Sequence, residues 1–131
     1  MATLKVGIVG AGGNTKGRHI PGLQGIADVE IVAVCNRSHE SGAKAAEEFG
    51  IPDVMTDWRA LVERDDLDAV VIGTWPYMHA PISIAALKAG KHVLCEARMA
   101  MNLGEARAML DAANRTDRVA QIVPSPMMLK W

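Results

Sequence analysis

The chain has 131 residues, a formal net charge of −1 and a hydrophobic content of 50%. This length is typical of one compact domain, and the nearly balanced charge excludes long-range attraction to nucleic acid or to an anionic membrane surface. The chain shows no signal-peptide pattern, no apolar run long enough for a bilayer and no cysteine spacing for a metal, so we expect a cytoplasmic protein with neither disulfide framework nor metal site.

Aliphatic and β-branched runs alternate along the chain with longer segments whose apolar residues recur at helical spacing. This alternation is typical of βαβ units and predicts an α/β fold, a doubly wound parallel sheet of the Rossmann type in three α/β/α layers. The strand runs are almost continuously apolar, as burial on both faces requires. The six predicted strands span residues 5–9, 30–35, 53–55, 68–72, 92–95 and 119–123.

Four helical segments carry an apolar stripe that we expect to pack into the core. Ser38 and Asn102 are suitable N-caps, and Glu105 stands three residues after Asn102, as in a capping box. Gly50 and Gly90 are placed to end helices. The predicted core faces are Ala43, Ala46 and Phe49; Trp58, Leu61 and Val62; Ile82, Ala85 and Ala86; and Ala106, Met109, Leu110 and Ala113.

A glycine-rich segment follows the first predicted strand and leads into a helix; it contains Gly10, Gly12, Gly13, Asn14 and Thr15. In dinucleotide-binding βαβ units the first glycine makes a tight turn, and the second lets a pyrophosphate approach the backbone at a helix N-terminus. The third position is normally small, and Thr15 occupies it here. Because the segment lies between an apolar strand and a helix, it predicts cofactor binding rather than an empty structural turn.

At the end of the second predicted strand the chain has Asn36, Arg37 and Ser38. In NAD-binding domains an Asp or Glu at this place bonds to the ribose 2′-hydroxyl, and here no carboxylate is present. A 2′-phosphate would meet no repulsion, while Arg37 offers a forked cation and Ser38 a hydroxyl and a backbone N–H. The pattern favours NADP over NAD. Alternatively, Arg37 stacks on adenine or points to solvent, and Ser38 only caps its helix.

The fourth predicted strand is followed by a segment that carries three side-chain rings with a polar atom, Trp75, Tyr77 and His79. Because ligands of doubly wound sheets bind at the carboxyl ends of the strands, we expect this segment to border the cofactor. The candidate residues are Thr74, Trp75, Pro76 and His79. Alternatively, His79 is a hydrogen-bonded residue at a helix start, and Trp75 is an exposed anchor for another domain.

Glu96 closes the fifth predicted strand at the same end of the sheet. We expect it to contact ribose hydroxyls; the alternative is an ion pair with Arg98. The neighbouring Cys95 is separated from Cys35 by three strand steps in the order 3-2-1-4-5-6, about 14 Å at ~4.8 Å per step. This exceeds the ~7 Å Cα limit for a disulfide, so both cysteines are predicted to be free thiols.

These segments, in this order and spacing, resemble the N-terminal NAD(P)-binding domain of the Gfo/Idh/MocA oxidoreductase family, which includes glucose-fructose oxidoreductase and inositol dehydrogenases. The family patterns V-G-I-x-G-x-G and G-x-H-x-P-x-L match residues 6–12 and 17–23, and A-A-L-x-A-G-K-H-V-x-C-E matches 85–96. The pattern T-P-N-x-x-H resembles residues 74–79 in its first and last positions, but Trp75 and Pro76 replace its proline and asparagine. The resemblance covers essentially the whole chain. It implies an NAD(P)-binding domain over residues 1–123, with 124–131 beginning the connection to an absent C-terminal α/β substrate domain.

The resemblance also implies hydride transfer between a nicotinamide cofactor and a sugar-like or polyol substrate in a homo-oligomeric full-length protein. The catalytic lysine of the family is replaced by Ala97, and Arg98 stands where the family has a proline. Alanine cannot move a proton and a guanidinium is a poor acid, although Arg98 could bind an anionic substrate. We therefore assign no catalytic residue and expect the chain alone to bind cofactor without turnover.

Two other functions remain open. The missing lysine is compatible with a non-catalytic NAD(P)-binding or sensor module. A Rossmann methyltransferase is less favoured, because such sites usually have an acid where Asn36 stands. The apolar tail at 127–131 predicts an exposed patch and self-association of the isolated domain.

Overall fold

The computed structural model describes residues 2–124, and within them the chain forms a six-stranded, all-parallel sheet with helices on both faces. The strand order is β3-β2-β1-β4-β5-β6, which confirms the predicted Rossmann fold. The predicted connection at 124–131, apart from its first residue, and its apolar patch lie outside the described residues. The strands are β1 (Leu4–Val9), β2 (Val29–Cys35), β3 (Asp53–Met55), β4 (Ala69–Ile72), β5 (His92–Cys95) and β6 (Ala120–Ile122).

Helices connect successive strands, and their ends follow the sequence signals. Ser38 Oγ accepts from Ser41 N, Asn102 Oδ1 accepts from Glu105 N, and Gly50 ends a helix at φ +66°. The capping box differs in one detail, since the Glu105 carboxylate accepts from Met101 N. The helices are α1 (Ile20–Gln24), which continues a π-helical turn at Thr15–His19, α2 (His39–Phe49), α3 (Trp58–Val62), α4 (His79–Lys88), which follows a 3-10 turn at Pro76–Met78, and α5 (Leu103–Asn114).

The sheet separates two hydrophobic clusters, one beneath α1 and α2 and one beneath α3, α4 and α5. The predicted α5 stripe was wrong at Leu110, which is 57% exposed. The buried stripe of α5 follows Met109 and its neighbours three and four residues away, so Leu110 lies about 100° round the helix from Met109. The sixth strand was also predicted too long, because Val119 precedes β6 and is 61% exposed.

Polar side chains bind the loops at the amino end of the sheet. The buried Lys91 Nζ donates to Arg64 O at 2.6 Å and to Leu67 O at 2.9 Å. The Arg64 guanidinium in turn bonds to the carboxylates of Asp53 and Asp66. These bonds fix the connection from α3 to β4, which leaves the carboxyl ends of the strands to form the site.

Candidate functional site

An open crevice of about 810 Å³ lies at the carboxyl end of the sheet, beside the paired strands β1 and β4, whose following connections lead to opposite halves of the sheet. This divergence is the place at which doubly wound sheets bind ligands. The predicted site residues that the structure brings together on its wall are Gly10, Gly12, Gly13, Asn14, Thr15, Asn36, Arg37, Ser38, Thr74, Trp75 and Glu96. Pro76 and His79 are not part of this wall.

The glycine-rich segment combines one crowded glycine with two open ones. Gly10 has φ +87°, and a Cβ there would lie 2.7 Å from Thr74 N, so only glycine lets the loops after β1 and β4 approach this closely. A Cβ at Gly12 or Gly13 would meet nothing within 4 Å. Their backbone therefore stays uncovered at the crevice, which fits the close approach of a pyrophosphate.

Thr15 occupies the third position of the glycine pattern without disturbing the fold. It is 1% exposed, and a Cβ on Gly73 would lie 2.0 Å from its Oγ1. The small residue required for close helix–strand packing is therefore supplied by Gly73, from the strand side of the contact. This compensation explains how the chain departs from the usual pattern at Thr15.

Three predicted residues at the end of β2 lie on the adjoining wall. The Asn36 side chain is used within the fold, because its Oδ1 accepts from Ala11 N at 2.8 Å. Arg37 and Ser38 are exposed at the crevice. The Ser38 hydroxyl caps α2 and also donates to Ser41 Oγ at 3.0 Å, so capping and crevice exposure occur together.

His79 corrects the expectation that it borders the cofactor. Its side chain is fully buried, with Nδ1 2.7 Å from Arg98 O and Nε2 2.9 Å from Thr74 O. The preceding 3-10 turn at Pro76–Met78 turns the start of α4 inward, away from the crevice. His79 therefore joins the loops that follow β4 and β5, which is the structural alternative considered above.

Aromatic residues around the crevice were only partly anticipated. Trp75 is 74% exposed and Tyr77 is 55% exposed, and both line the crevice. Trp58 also lines it, although its helical spacing predicted only a core residue. The Arg59 guanidinium lies 4.4 Å from the centre of the Trp58 ring. Ser41 and Thr56 are two further wall residues that the sequence did not single out.

Glu96 reaches the crevice but is occupied by protein donors. Its Oε1 accepts from Asn14 Nδ2 and is hydrogen-bonded to His19 Nε2, while Oε2 accepts from Ala97 N at 2.8 Å. Arg98, the alternative partner considered from the sequence, is not among these bonds. Burial raises the pKa of Glu96, but the bonds from His19 and Ala97 N outweigh it and leave the pKa below its usual value. His19 was missed as a site residue; only its place in the G-x-H-x-P-x-L pattern marks it.

The two cysteines are free and buried, as predicted. Burial is the main cause that raises the pKa of Cys35 to about 11, with a further contribution from Asp57. Burial likewise raises the pKa of Cys95 to about 11. Both thiols are therefore protonated at neutral pH, and Cys35, although it lines the crevice, is a poor nucleophile.

Residues 2–124 contain neither a candidate metal site nor a candidate membrane-spanning helix. This part of the chain contains no group of three or more His, Cys, Asp or Glu side chains placed to hold a metal ion. None of its helices has the length and apolar character needed to cross a membrane.

The sheet order and the glycine-lined crevice define a Rossmann domain. Residues 4–123 match the profile of an oxidoreductase family with an NAD-binding Rossmann fold. The chain belongs to this family, Gfo/Idh/MocA, which confirms the resemblance deduced from its motifs.

Curated relatives include a 4-carboxy-2-hydroxymuconate-6-semialdehyde dehydrogenase from a Sphingobium species, 34% identical over 119 residues, which cover 91% of this chain and 38% of the relative. A 1,5-anhydro-D-fructose reductase from Ensifer adhaerens is 44% identical over 84 residues, which cover 64% of this chain and 25% of the relative. The chain thus spans well under half the length of these relatives.

Solved structures give the same assignment. A 3-ketoreductase variant from Actinomadura kijaniata, in complex with TDP-benzene and NADP, superposes with a TM-score of 0.84 at 29% identity. The match covers 92% of this chain and 37% of that structure. A biliverdin reductase from Synechocystis sp. PCC 6803, in complex with biliverdin and NADP+, gives a TM-score of 0.84 at 29% identity, over 91% of this chain and 37% of that one.

Proposed function

We propose that this chain is the NADP-binding domain of an oxidoreductase that transfers a hydride between the nicotinamide cofactor and a sugar-like or polyol substrate. The observation that carries the proposal is the crevice itself. At one place its wall is uncovered glycine backbone, and after β2 it presents Arg37 next to Asn36, which stands where NAD-binding domains have an acid.

The wall residues divide between two parts of the cofactor. The glycine-rich segment would hold the pyrophosphate, because backbone N–H groups at a helix N-terminus favour anions. The residues that would hold it are Gly10, Gly12, Gly13, Asn14 and Thr15. At the other end, Arg37 and Ser38 would hold the adenosine ribose 2′-phosphate beside Asn36, whose amide supplies no repelling charge.

Thr74 and Trp75 would border the nicotinamide side, with Pro76 and the buried His79 supporting their loop. The bound cofactor would supply the hydride, and this chain's residues would bind and orient it. The names of two relatives, a 1,5-anhydro-D-fructose reductase and a levoglucosan dehydrogenase, support a sugar-like substrate. The remainder of the full-length protein, beginning with the connection at 124–131, would supply most of the substrate pocket.

A second candidate function is a non-catalytic NAD(P)-binding or sensor module. Ala97 favours it, because the family pattern has a catalytic lysine at this position and the methyl group of alanine cannot transfer a proton. The two functions predict the same cofactor binding by this chain. They differ in the full-length protein, which would oxidise or reduce sugars or polyols only under the first.

Calorimetric titration with NADPH and NADH at one salt concentration tests the proposal. We expect NADPH to bind about tenfold or more tightly than NADH, since a hydrogen bond to a charged group contributes about 1.5–3 kcal/mol. Arg37→Ala should remove this preference and leave NADH binding unchanged. Arg107→Ala, on the exposed side of α5, is the matched control and should bind both cofactors like the parent chain. Absence of binding by both cofactors would overturn the proposal.

A further inference from the structure

We infer that Glu96 is a positioning residue whose carboxylate, through Asn14 and His19, ties the glycine-rich segment to the loop after β5 and thereby fixes the crevice for the pyrophosphate and nicotinamide part of the cofactor. This inference rests on the proposed function, because it concerns the same site. It replaces the expectation that Glu96 chiefly contacts ribose hydroxyls.

The sheet itself does not make this connection. β1 and β5 are both neighbours of β4 and not of each other, so no ladder of backbone bonds joins the segments that follow them. The side-chain bonds from Asn14 and His19 to Glu96 bridge 82 and 77 residues of sequence. Among residues 2–124, the hydrogen bonds between the glycine-rich segment with its helical turn and the loop after β5 all end on this one carboxylate.

The geometry of the carboxylate suits a positioning role. Oε1 accepts two bonds from the glycine-rich side, and Oε2 accepts one from Ala97 N in its own loop. Three of the roughly four acceptor sites of a carboxylate are therefore used within the protein. The side chains of Glu96 and His19 are 15% and 14% exposed, so water competes weakly for these bonds.

A second histidine holds the same loop from the opposite side. His79, fully buried at the start of α4, contacts Arg98 O with one ring nitrogen and Thr74 O with the other. The segment from Glu96 to Arg98 is thus bound at both ends, on one side to the glycine-rich segment and on the other to the loop after β4. These bonds fix the backbone around Ala97, whose methyl side chain has no catalytic group to orient. We therefore assign the bonds to positioning of the cofactor.

Two probes that cover different parts of the site test the inference. NADPH would span the whole crevice, whereas adenosine 2′-monophosphate would occupy only the end formed by Arg37 and Ser38. We expect Glu96→Ala to weaken NADPH binding about tenfold or more, the loss of bonds to a charged group, and to leave binding of adenosine 2′-monophosphate within about twofold. Glu47→Ala, on the exposed face of α2, is the matched control and should change neither.

Conservative variants separate positioning from general damage to the fold. Glu96→Gln keeps a carbonyl acceptor for Asn14, and His19→Gln keeps an N–H donor, so each should retain more NADPH affinity than Glu96→Ala or His19→Leu. Because Glu96→Ala and His19→Leu remove the same link, their effects on NADPH binding should be non-additive in the double variant. If Glu96→Ala does not fold, the comparison of His19→Leu with His19→Gln tests the same link.

Several outcomes would overturn the inference. If the parent chain binds both probes and all variants bind NADPH like the parent, Glu96 positions nothing and the proposed function stands. An equal loss of both probes, or strictly additive losses, would indicate a general structural role. If the parent chain binds neither probe, the proposed function fails, and this inference fails with it.

Discussion

At the amino end of the sheet, Lys91 and Asp68 bond to backbone groups, and Arg64 bonds to the carboxylates of Asp53 and Asp66. Lys91 Nζ bonds to two carbonyl oxygens, and Asp68 Oδ2 accepts from Lys5 N at 2.8 Å. At the carboxyl end, Arg37 is exposed and the backbone at Gly12 and Gly13 is uncovered. Polar side chains at the amino end therefore bond to other groups of the protein and hold its loops together. At the carboxyl end, polar groups remain exposed at an open crevice.

This difference indicates where stability and binding reside. A buried polar group that loses its partner costs far more than an exposed one, so substitutions at the amino end should change the free energy of unfolding. Substitutions of exposed wall residues at the carboxyl end should change affinity for the cofactor and leave stability nearly unchanged. Glu96 is the exception at the carboxyl end, because its bonds resemble those of Lys91.

Removing the ammonium group of Lys91 should give the largest effect on stability. Lys91→Met retains the aliphatic stem but leaves Arg64 O and Leu67 O without their donor. At about 1–3 kcal/mol for each buried group left unpaired, the free energy of unfolding in urea should fall by about 2–6 kcal/mol. Lys88→Met, exposed near the end of α4, is the control and should change it by less than about 0.5 kcal/mol. Equal stabilities of the two variants would show that the hydrogen bonds of Lys91 do not stabilise the fold.

The packing of Gly73 against Thr15 provides the next prediction, at the carboxyl end. Gly73→Ala places a methyl group 2.0 Å from Thr15 Oγ1 and 2.6 Å from Gly10 O, so we expect a loss of about 1–3 kcal/mol in thermal or urea unfolding. Adding Thr15→Gly removes the closer contact but not the one with Gly10 O, and should restore only part of the loss. A neutral Gly73→Ala would show that this contact does not explain the threonine.

The sequence predicts the elements of the fold well, because apolar runs and helical stripes are local signals of burial. It also locates the glycine-rich segment and the end of β2, since each directly follows a strand. It does not predict the burial of Lys91, in the short loop before β5, or of His79, at the start of α4, because lysine is usually exposed and histidine is often partly exposed. Their burial depends on carbonyl groups that other strands and loops bring near.

The same reason explains why the bonds of Glu96 were not anticipated. Arg98 is close in sequence and was the one protein partner considered, as the alternative to ribose hydroxyls, whereas Asn14 and His19 are distant in sequence and meet Glu96 because β4 lies between β1 and β5. Leu110 shows the converse error. Its apolar character suggested the core, but the buried stripe of α5 is narrower than the run of apolar residues.

The reactivity of the two thiols tests whether Cys35, which lines the open crevice, can be reached by a reagent. Because burial raises the pKa of Cys35 and of Cys95 to about 11, thiolate becomes abundant only near that pH, and the native chain should react slowly with a disulfide reagent at pH 7.5. Both should react rapidly in denaturant, giving two free thiols per chain. Rapid reaction of one thiol in the native chain would show that Cys35 is accessible through the crevice.

The exposed ion pair at the amino end should give the smallest effect, and its pH dependence has a definite sign. The hydrogen bond from Arg64 is the main cause that lowers the pKa of Asp66 from 3.8 to about 2. Because the pKa of Asp66 is lower in the folded state than in the unfolded state, the ion pair stabilises the fold above about pH 4. This contribution is lost as the carboxylate protonates between about pH 4 and pH 2. Because the Asp66 side chain is 44% exposed, we expect less than about 1 kcal/mol between the parent chain and Asp66→Asn at pH 7. Urea unfolding of both chains from pH 7 to pH 2 should show this difference shrinking in the acid range, and a difference that is constant with pH would assign it to packing rather than to charge.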